Sequence, residues 1–534
     1  MYALTDKIYS FCVCSVKVLG LMLAAFLFAG SFLVTSYSTD MESQTVLFRA
    51  DNPLWNLLGI AVFSVIFIPA VRRRKVRTNR LLFLTLGWCC FAGAFLIVFG
   101  RTAPAADGMS VYAAAGELAV GQTAVISPDN SYFSYYPQQI GLVCFYEIGI
   151  RLWNLLPFEI PAYHMIKCVN VLGACGILFF QQRTVQLLWH NERLDCIYLI
   201  LAGLNLPFLM YTSFIYGEIP SFAFMAAGLY CLLCFLGDRE TGSGWRQALY
   251  AVVCFSMGVA LRKNNLIFVI AVLIVALLQY LRDRKGVVLM FALLCGVCAF
   301  GVLPGIRKVY ELRAGNYLRS GVPAAAYFAM GMQDVPGSRC GGWYNGYNFE
   351  VYQEAGLDGD AAAAVSREAI RERLEDFKEN PGYAVKFYLR KHISQWADGT
   401  YASRQATLSS FGGRGRVLQS LYEGPLSRFF IEYGNFYQNM LYLGFVVFSI
   451  VSCKGMFSGI RKQDGRGNGD GNTGERLTDS LPLWVGLIGV LGGFLFHMVW
   501  EANSRYILLY SLAMLPYSAW GIGRIMLRKT DCPL

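Results

Sequence analysis

Charge is the scarcest resource in this sequence. Asp, Glu, Lys and Arg make up 15% of the 534 residues, while 55% are hydrophobic. Soluble domains carry about 25% charged residues, so a soluble globular class is excluded. Three other things are missing. No DxD-like acid pair sits on a basic, cytoplasm-facing loop, and no Gly-rich phosphate cradle follows a strand, which removes a soluble nucleotide-sugar site. No disulfide framework is legible in the sixteen cysteines. Most of them, including Cys89, Cys90, Cys168, Cys175 and Cys254, lie inside apolar runs. The pairs Cys231/Cys234 and Cys295/Cys298 have CxxC spacing but lack the polar access a metal or redox site needs, so they read as small packing residues. Cys340 alone falls in a large polar loop, without an obvious partner. No internal repeat is visible, and Val13–Val34 is too long for the apolar region of a cleavable signal and reads as a first anchor.

What the chain has is membrane-length apolar runs. They fall near 13–36, 53–71, 81–100, 162–181, 195–213, 218–237, 247–261, 265–281, 286–306, 435–453, 481–499 and 504–523, about twelve spans of the length a helix needs to cross a bilayer. They are too long and continuous for barrel strands. The expected fold is therefore an all-α polytopic membrane protein. The net charge of +11 is then a topology signal rather than a sign of nucleic acid. Arg72, Arg73, Arg74, Lys75, Arg77 and Arg80 form a basic run without an acid, which marks a cytoplasmic loop. Ser38–Asp51, with Asp40, Glu42 and Asp51 against Arg49, fits the other side.

One segment decides the parity. Gln138–Leu156 is long enough to cross, but a crossing would invert the later basic clusters at Arg183, Arg193, Arg282, Arg284, Lys285, Arg461, Lys462, Arg524, Arg528 and Lys529. Kept as a half-buried helix on the outer surface, it leaves them all cytoplasmic. The expected arrangement is an integral plasma-membrane protein with a cytoplasmic N-terminus. Asp107, Glu218, Arg262-Lys263 and Glu501–Arg505 then share one extracytoplasmic face.

Four regions follow. Residues 1–80 hold two spans and the basic loop. Residues 81–307 form a membrane core with a first outer loop at 101–161. Residues 308–434 form a mostly helical extracytoplasmic insertion, with helices predicted over Val365–Phe377, ending near Asn380-Pro381, and over Tyr383–Trp396. Residues 435–534 carry the last spans around a polar cytoplasmic linker, 463–480. The Gly-rich piece Gly337–Asn348 reads as irregular turns, or as a loop whose Trp343, Tyr344 and Tyr347 stack on sugar rings.

Four outer features carry candidate chemistry. Asp107 follows a span, with Tyr112 and Glu117 beyond it on a short amphipathic helix; an aromatic group, Tyr132, Phe133, Tyr135 and Tyr136, then leads to Pro137, Gln138 and Gln139. The plain alternative is an ordinary polar loop. Glu218, in Tyr216-Gly217-Glu218-Ile219-Pro220, opens a span at its positive end and reads as a cap or as a site acid. Arg262-Lys263 lies in an outer hairpin, where two cations go against the positive-inside tendency; an anionic ligand such as a lipid phosphate supplies a reason, and snorkelling is the other. Glu501, Arg505 and Tyr506 join the last two spans, and the i, i+4 spacing of Glu501 and Arg505 suits a simple pair.

In this order the residues resemble the GT-C superfamily of membrane glycosyltransferases, which includes protein O-mannosyltransferases and lipid A aminoarabinose transferases. The resemblance rests on Asp107-x4-Tyr112-x5-Leu118-x2-Gly121 after an in-to-out span, Pro137 opening an outer helix, Glu218 at a later span, Arg262-Lys263 between two short spans and a terminal Glu501-x3-Arg505-Tyr506. It covers about residues 81 to 525. Two features differ: two spans precede the Asp107 unit, and Gly108 follows Asp107 where relatives often show Asp-Glu, so a paired-acid or metal-assisted mechanism is not indicated.

The resemblance implies a sugar transferase using a polyprenyl-phosphate sugar as donor substrate, with no certain cofactor and no metal site indicated. The partners would be the lipid bilayer and a glycan, lipid or protein acceptor of the cell envelope, with no nucleic acid. Asp107 would be the catalytic base; Tyr112, Glu117, Gln138, Gln139, Glu218, Glu501 and Tyr506 would line the substrate site; Arg262, Lys263 and Arg505 would hold the donor phosphate. Direct displacement at the anomeric carbon would invert its configuration. Two other classes share these features: a surface polysaccharide polymerase or ligase, and a polytopic transporter or lipid flippase. A transporter calls for broken helices and mid-membrane charges, often with repeats. A non-catalytic membrane scaffold is the remaining alternative.

Overall fold

In a bilayer a backbone N–H has no water to bond, so an apolar chain closes its hydrogen bonds within helices. The structure, a computed structural model, describes residues 2–38, 45–73, 77–130, 132–157, 159–237, 244–334, 340–462 and 481–527. Asp40, Glu42, Arg74, Lys75, the start of the Gly337–Asn348 piece, the linker 463–480, Arg528 and Lys529 lie outside the described residues. In chain order the helices are α1 (Tyr2–Leu33), α2 (Pro53–Arg73), α3 (Thr78–Phe95, continued by a π-turn over Leu96–Gly100), α4 (Ala106–Ala119), α5 (Ile140–Trp153), α6 (Tyr163–Trp189), α7 (Glu192–Gly203), α8 (Leu206–Met210), α9 (Glu218–Gly237), α10 (Gly244–Leu261), α11 (Leu266–Asp283) and α12 (Gly286–Ala314). After these come α13 (Ala324–Met332), α14 (Tyr347–Glu354), α15 (Gly359–Glu379), α16 (Pro381–Trp396), α17 (Ser403–Ala406), α18 (Arg416–Glu423), α19 (Pro425–Lys462), α20 (Val485–Val499) and α21 (Ile507–Met526).

Twelve spans are predicted. Among the described residues, eight helices are long and apolar enough to cross a membrane: α1, α3, α6, α9, α11, α12, α19 and α20. A ninth is reached if α7 and α8, bent by 58° at their junction, count as one span. α10 and α21 fall short. In α21 the reason is position: it is buried almost from end to end, so Ser511, Pro516, Tyr517 and Ser518 face protein rather than lipid. It packs closely on α19, where a Cβ on Gly521 would lie 1.8 Å from the Gly444 carbonyl oxygen. Small residues let helix backbones approach in this way where lipid gives apolar faces little reason to associate.

The all-α expectation is corrected at one place. The first anchor ends at Leu33, and strands β1 (Val34–Ser38) and β2 (Val46–Ala50) form an antiparallel hairpin with Val34 opposite Ala50. Val34, Thr35 and Tyr37 favour a strand. The hairpin docks on α16, where the Ser36 amide donates to the Ala397 carbonyl at 3.1 Å.

α5 is short, 14 residues, or about 21 Å at 1.5 Å per residue, against a hydrocarbon core of about 30 Å. Its flanking helices run antiparallel: Gly93 of α3 meets Val171 of α6, and the Leu86 carbonyl meets Cys175. The chain between them therefore leaves and returns at the same end of the bundle, and α5 packs there beside the end of α12. Glu147 of α5, nearly buried, accepts from Arg151 at 2.9 Å, Arg313 at 2.6 Å and Tyr310 at 2.5 Å, which fastens α5 to the end of α12. Gly141 sits where a Cβ would come within 2.0 Å of the Ala260 carbonyl oxygen. Gly141→Ala is expected to destabilise the protein by about 1–3 kcal/mol through overpacking, read as a lower melting temperature in detergent. Gly116→Ala, with nothing near its Cβ position, is the matched control and should not lower it.

The insertion is mostly helical. α15 and α16 cover both predicted helices, and Asn380 joins them as cap, its side chain accepting from the Tyr383 amide. Its edges move inward: α12 runs on to Ala314, and α19 begins at Pro425.

Candidate functional site

Five segments from distant parts of the chain meet at one end of the bundle: the start of α4, the turn 137–139, the loop 214–218, the turn 262–265 and the linker 500–506. Asp107 lies in the first turn of α4, after Ala106 in a left-handed conformation. Its Oδ2 accepts from the Tyr216 hydroxyl at 3.4 Å, and that hydroxyl accepts from Gln139 Nε2 at 2.5 Å. Gly108 explains itself here. A Cβ at this position would lie 2.5 Å from the Ile215 carbonyl oxygen, so an Asp-Glu pair would push α4 off the loop that carries Tyr216.

That loop is held from behind. Tyr211 donates to the Tyr401 carbonyl at 2.6 Å, and Asn170 Nδ2 to the Phe214 carbonyl at 2.6 Å. Gly217 then lets α9 begin against the end of α10, since a Cβ would lie 2.8 Å from the Leu261 carbonyl oxygen. Glu218 follows in the first turn of α9, buried, with Pro220 beside it as the sequence predicts.

Two guanidiniums close on Glu218. Arg262 Nη2 is 3.1 Å from Glu218 Oε1, and Arg505 Nε is 3.8 Å from the same oxygen. The Arg505 Nε–H has no hydrogen-bond acceptor. Arg262 lies over the Tyr216 ring at 4.5 Å, and Arg505 packs among Phe214, Tyr216 and Tyr506 at 5.5 to 5.8 Å. Burial works against the Arg262 charge, but Glu218 and the neighbouring phenols outweigh it and hold the guanidinium above its ordinary value.

The i, i+4 spacing of Glu501 and Arg505 suits a pair on a helix, but this linker is not helical. It runs extended out of α20 and tightens into a 3-10 turn only at Ser504–Tyr506. Arg505 therefore turns to Glu218, and Glu501 Oε1 accepts from the Tyr506 hydroxyl at 3.1 Å. Burial pushes the Glu501 carboxyl up to about 7, with Asp107 adding to the rise and Arg505, Tyr506 and Lys391 opposing it.

The cluster thus joins Asp107, Gln139, Glu218, Arg262, Glu501, Arg505 and Tyr506, with Gln138 half-buried beside Gln139. Three candidates lie apart. Tyr112 packs edge-on against Tyr163 at 6.0 Å. Glu117 is exposed near the far end of α4, about 15 Å along the axis from Asp107. Lys263 points to the exterior, so Arg505 replaces it beside Arg262. Trp343 is also moved from the sugar-stacking reading: it is buried, and its Nε1 donates to Ser394 Oγ at 2.7 Å. Tyr216 is the member that sequence reasoning used as flanking context and did not choose. Its adjacency to Gly217-Glu218 was the available signal.

Among the described residues, no group of three or more His, Cys, Asp or Glu side chains is placed to hold a metal ion. Deeper in the bundle, from Phe222 one turn past Glu218, lies an apolar cavity of about 50 Å³, walled by Met225, Phe255, Phe268, Val272 and Tyr517.

No family model, curated protein or solved structure matches the chain.

Proposed function

We propose that the protein is an integral-membrane glycosyltransferase of GT-C type, which moves a sugar from a polyprenyl-phosphate carrier to an extracytoplasmic hydroxyl acceptor on an envelope glycan, lipid or protein. The observation that carries this reading is the sharing of one carboxylate, Glu218, by two buried guanidiniums. Within this trio two cations face one carboxylate and the Arg505 Nε–H has no acceptor; with Asp107 and Glu501 counted the whole cluster carries no positive surplus, so the reading rests on where the two guanidiniums stand. A phosphate oxygen that gains charge as a sugar leaves it is the anion such a place stabilises.

The chemistry follows from position. The acceptor oxygen attacks the anomeric carbon as its proton passes to Asp107. The bond from that carbon to the phosphate oxygen breaks, and its electron pair stays on the phosphate, facing Arg262 and Arg505. One displacement inverts the anomeric configuration. Tyr216, bonded to both Gln139 and Asp107, orients the carboxylate. In this reading α2, α10 and α21 join the nine spans to make twelve crossings, the N-terminus is cytoplasmic and the cluster faces outward at the plasma membrane.

The test is sugar transfer by purified protein incubated with lipid extracts, with release of the lipid phosphate measured alongside. Transfer with one-to-one release is the expected result; no transfer from any lipid-linked sugar would sink the reading. One observation favours a flippase instead, the 58° break between α7 and α8. A flippase would move the lipid across vesicles without cleaving it, which the same assay registers.

A further inference from the structure

We infer that Lys391, in the insertion, is the residue that positions Glu501, through the backbone it holds and through its charge. The assignment rests on the transferase reading only for what Glu501 is used for. Lys391 is fully buried. Its ammonium donates to the carbonyls of Gly331, of Met498 at 2.9 Å and of Trp500 at 2.8 Å. Those three acceptors use all three of its N–H groups. The Trp500 carbonyl belongs to the peptide unit that joins Trp500 to Glu501, so Lys391 holds the backbone immediately before the acid.

The other side is held as well. The Ala502 amide donates to the Gly342 carbonyl at 2.8 Å, and His497 Nδ1 meets the Glu501 carbonyl oxygen at 3.2 Å. Two glycines make room for the arrangement. Gly342 has φ +77, and a Cβ there would lie 2.6 Å from Lys391 Cδ and Cε. A Cβ on Gly331 would lie 2.3 Å from the Val499 carbonyl oxygen. The insertion therefore grips the Glu501 backbone from two of its own segments, and the Glu501 side chain is left to turn toward Tyr506.

A neutral donor could satisfy the same carbonyls, so the charge needs its own account. Glu501 is buried, and burial disfavours its carboxylate. Arg505 and Tyr506 on its own linker face it, as do Asp107 of α4, Tyr136, Tyr327 of α13, and Lys391 of α16. Lys391 itself faces Cys340, His392, His497 and Glu501. Of these groups, Arg505 is already engaged with Glu218. Lys391 is the second cation that favours the ionised form of Glu501, with a smaller influence than Arg505, and burial brings its own ammonium down to about 7.

The experiment uses full-length protein in lipid nanodiscs. The infrared band of the protonated Glu501 carboxyl is assigned by its loss in Glu501→Gln and titrated against pH in wild type, Lys391→Met and Lys391→Gln. The glutamine variant keeps a donor for the carbonyl cage while removing the charge. Removing a cation that favours the carboxylate must raise the midpoint, so the band should persist to higher pH by about one unit in both folded variants. Where the wild type transfers sugar, kcat should fall about tenfold with the donor KM within about twofold, as expected when a positioned group rather than ground-state binding is disturbed. An unmoved midpoint in folded variants overturns the assignment, as does failure of both variants to fold, which would make Lys391 a purely structural residue. A shifted midpoint in a protein that transfers no sugar leaves this assignment standing and removes the transferase reading. Transfer with an unmoved midpoint does the reverse.

Discussion

Asp107→Asn should leave a folded protein that binds donor lipid and transfers almost no sugar. The amide keeps the shape and can still contact Tyr216, but it cannot take a proton from the acceptor. Loss of a general base costs about 10²–10⁴-fold in kcat. Expression and melting temperature should stay near wild type, because Asp107 is half-exposed and makes one long hydrogen bond, 3.4 Å, to Tyr216. Single-turnover transfer with saturating donor is the measurement. Near-normal turnover would remove Asp107 from the chemistry and turn attention to Glu501, an acid of the same cluster on which Asp107 acts electrostatically.

Arg505→Gln should produce the next largest effect, and in a different quantity. Glu218 would still be paired with Arg262, so the site would lose the guanidinium whose Nε–H has no acceptor. A charged hydrogen bond is worth about 1.5–3 kcal/mol, so affinity for a lipid phosphate should fall about 10- to 150-fold. Arg262→Gln should weaken binding as well, but it also strips Glu218 of its nearer partner and should lower stability, since breaking a buried pair leaves an uncompensated charge. Lys263→Gln should do neither, because Lys263 points away. Equilibrium binding of a fluorescent polyprenyl phosphate, with melting curves on the same samples, separates the three. Equal loss in Lys263→Gln and Arg505→Gln would overturn the geometry.

The two Arg262-Lys263 cations show what a sequence can and cannot deliver. Composition and spacing mark the hairpin as unusual and its charge as in need of an anion. They do not say which of two adjacent side chains turns inward. That depends on Gly217, which brings the Glu218 turn against residue 262. The same division holds elsewhere. Apolar period and length predicted α15, α16 and the short α5, because local amphipathicity carries that information. The β1–β2 hairpin was missed because its five-residue strands follow directly on an apolar run and their partner in the fold, α16, lies far along the chain. Lys391 was invisible for the same reason: its role depends on carbonyl groups, and a sequence does not display where carbonyls point. Glu501 and Arg505 do not form the pair their spacing suggests, because spacing rules assume a helix and this linker is extended.

The sharing of Glu218 has a consequence for how the chain is made. Glu218 opens α9 and Arg262 closes α10, so these two form a local hairpin that can pair as soon as both helices have been synthesised. At that stage Glu218 meets one guanidinium, with the exposed Lys263 next to it. Arg505 arrives only with α21, the last helix. On the proposed reading, the second guanidinium beside Glu218 is missing from a nascent chain until its final helix is in place.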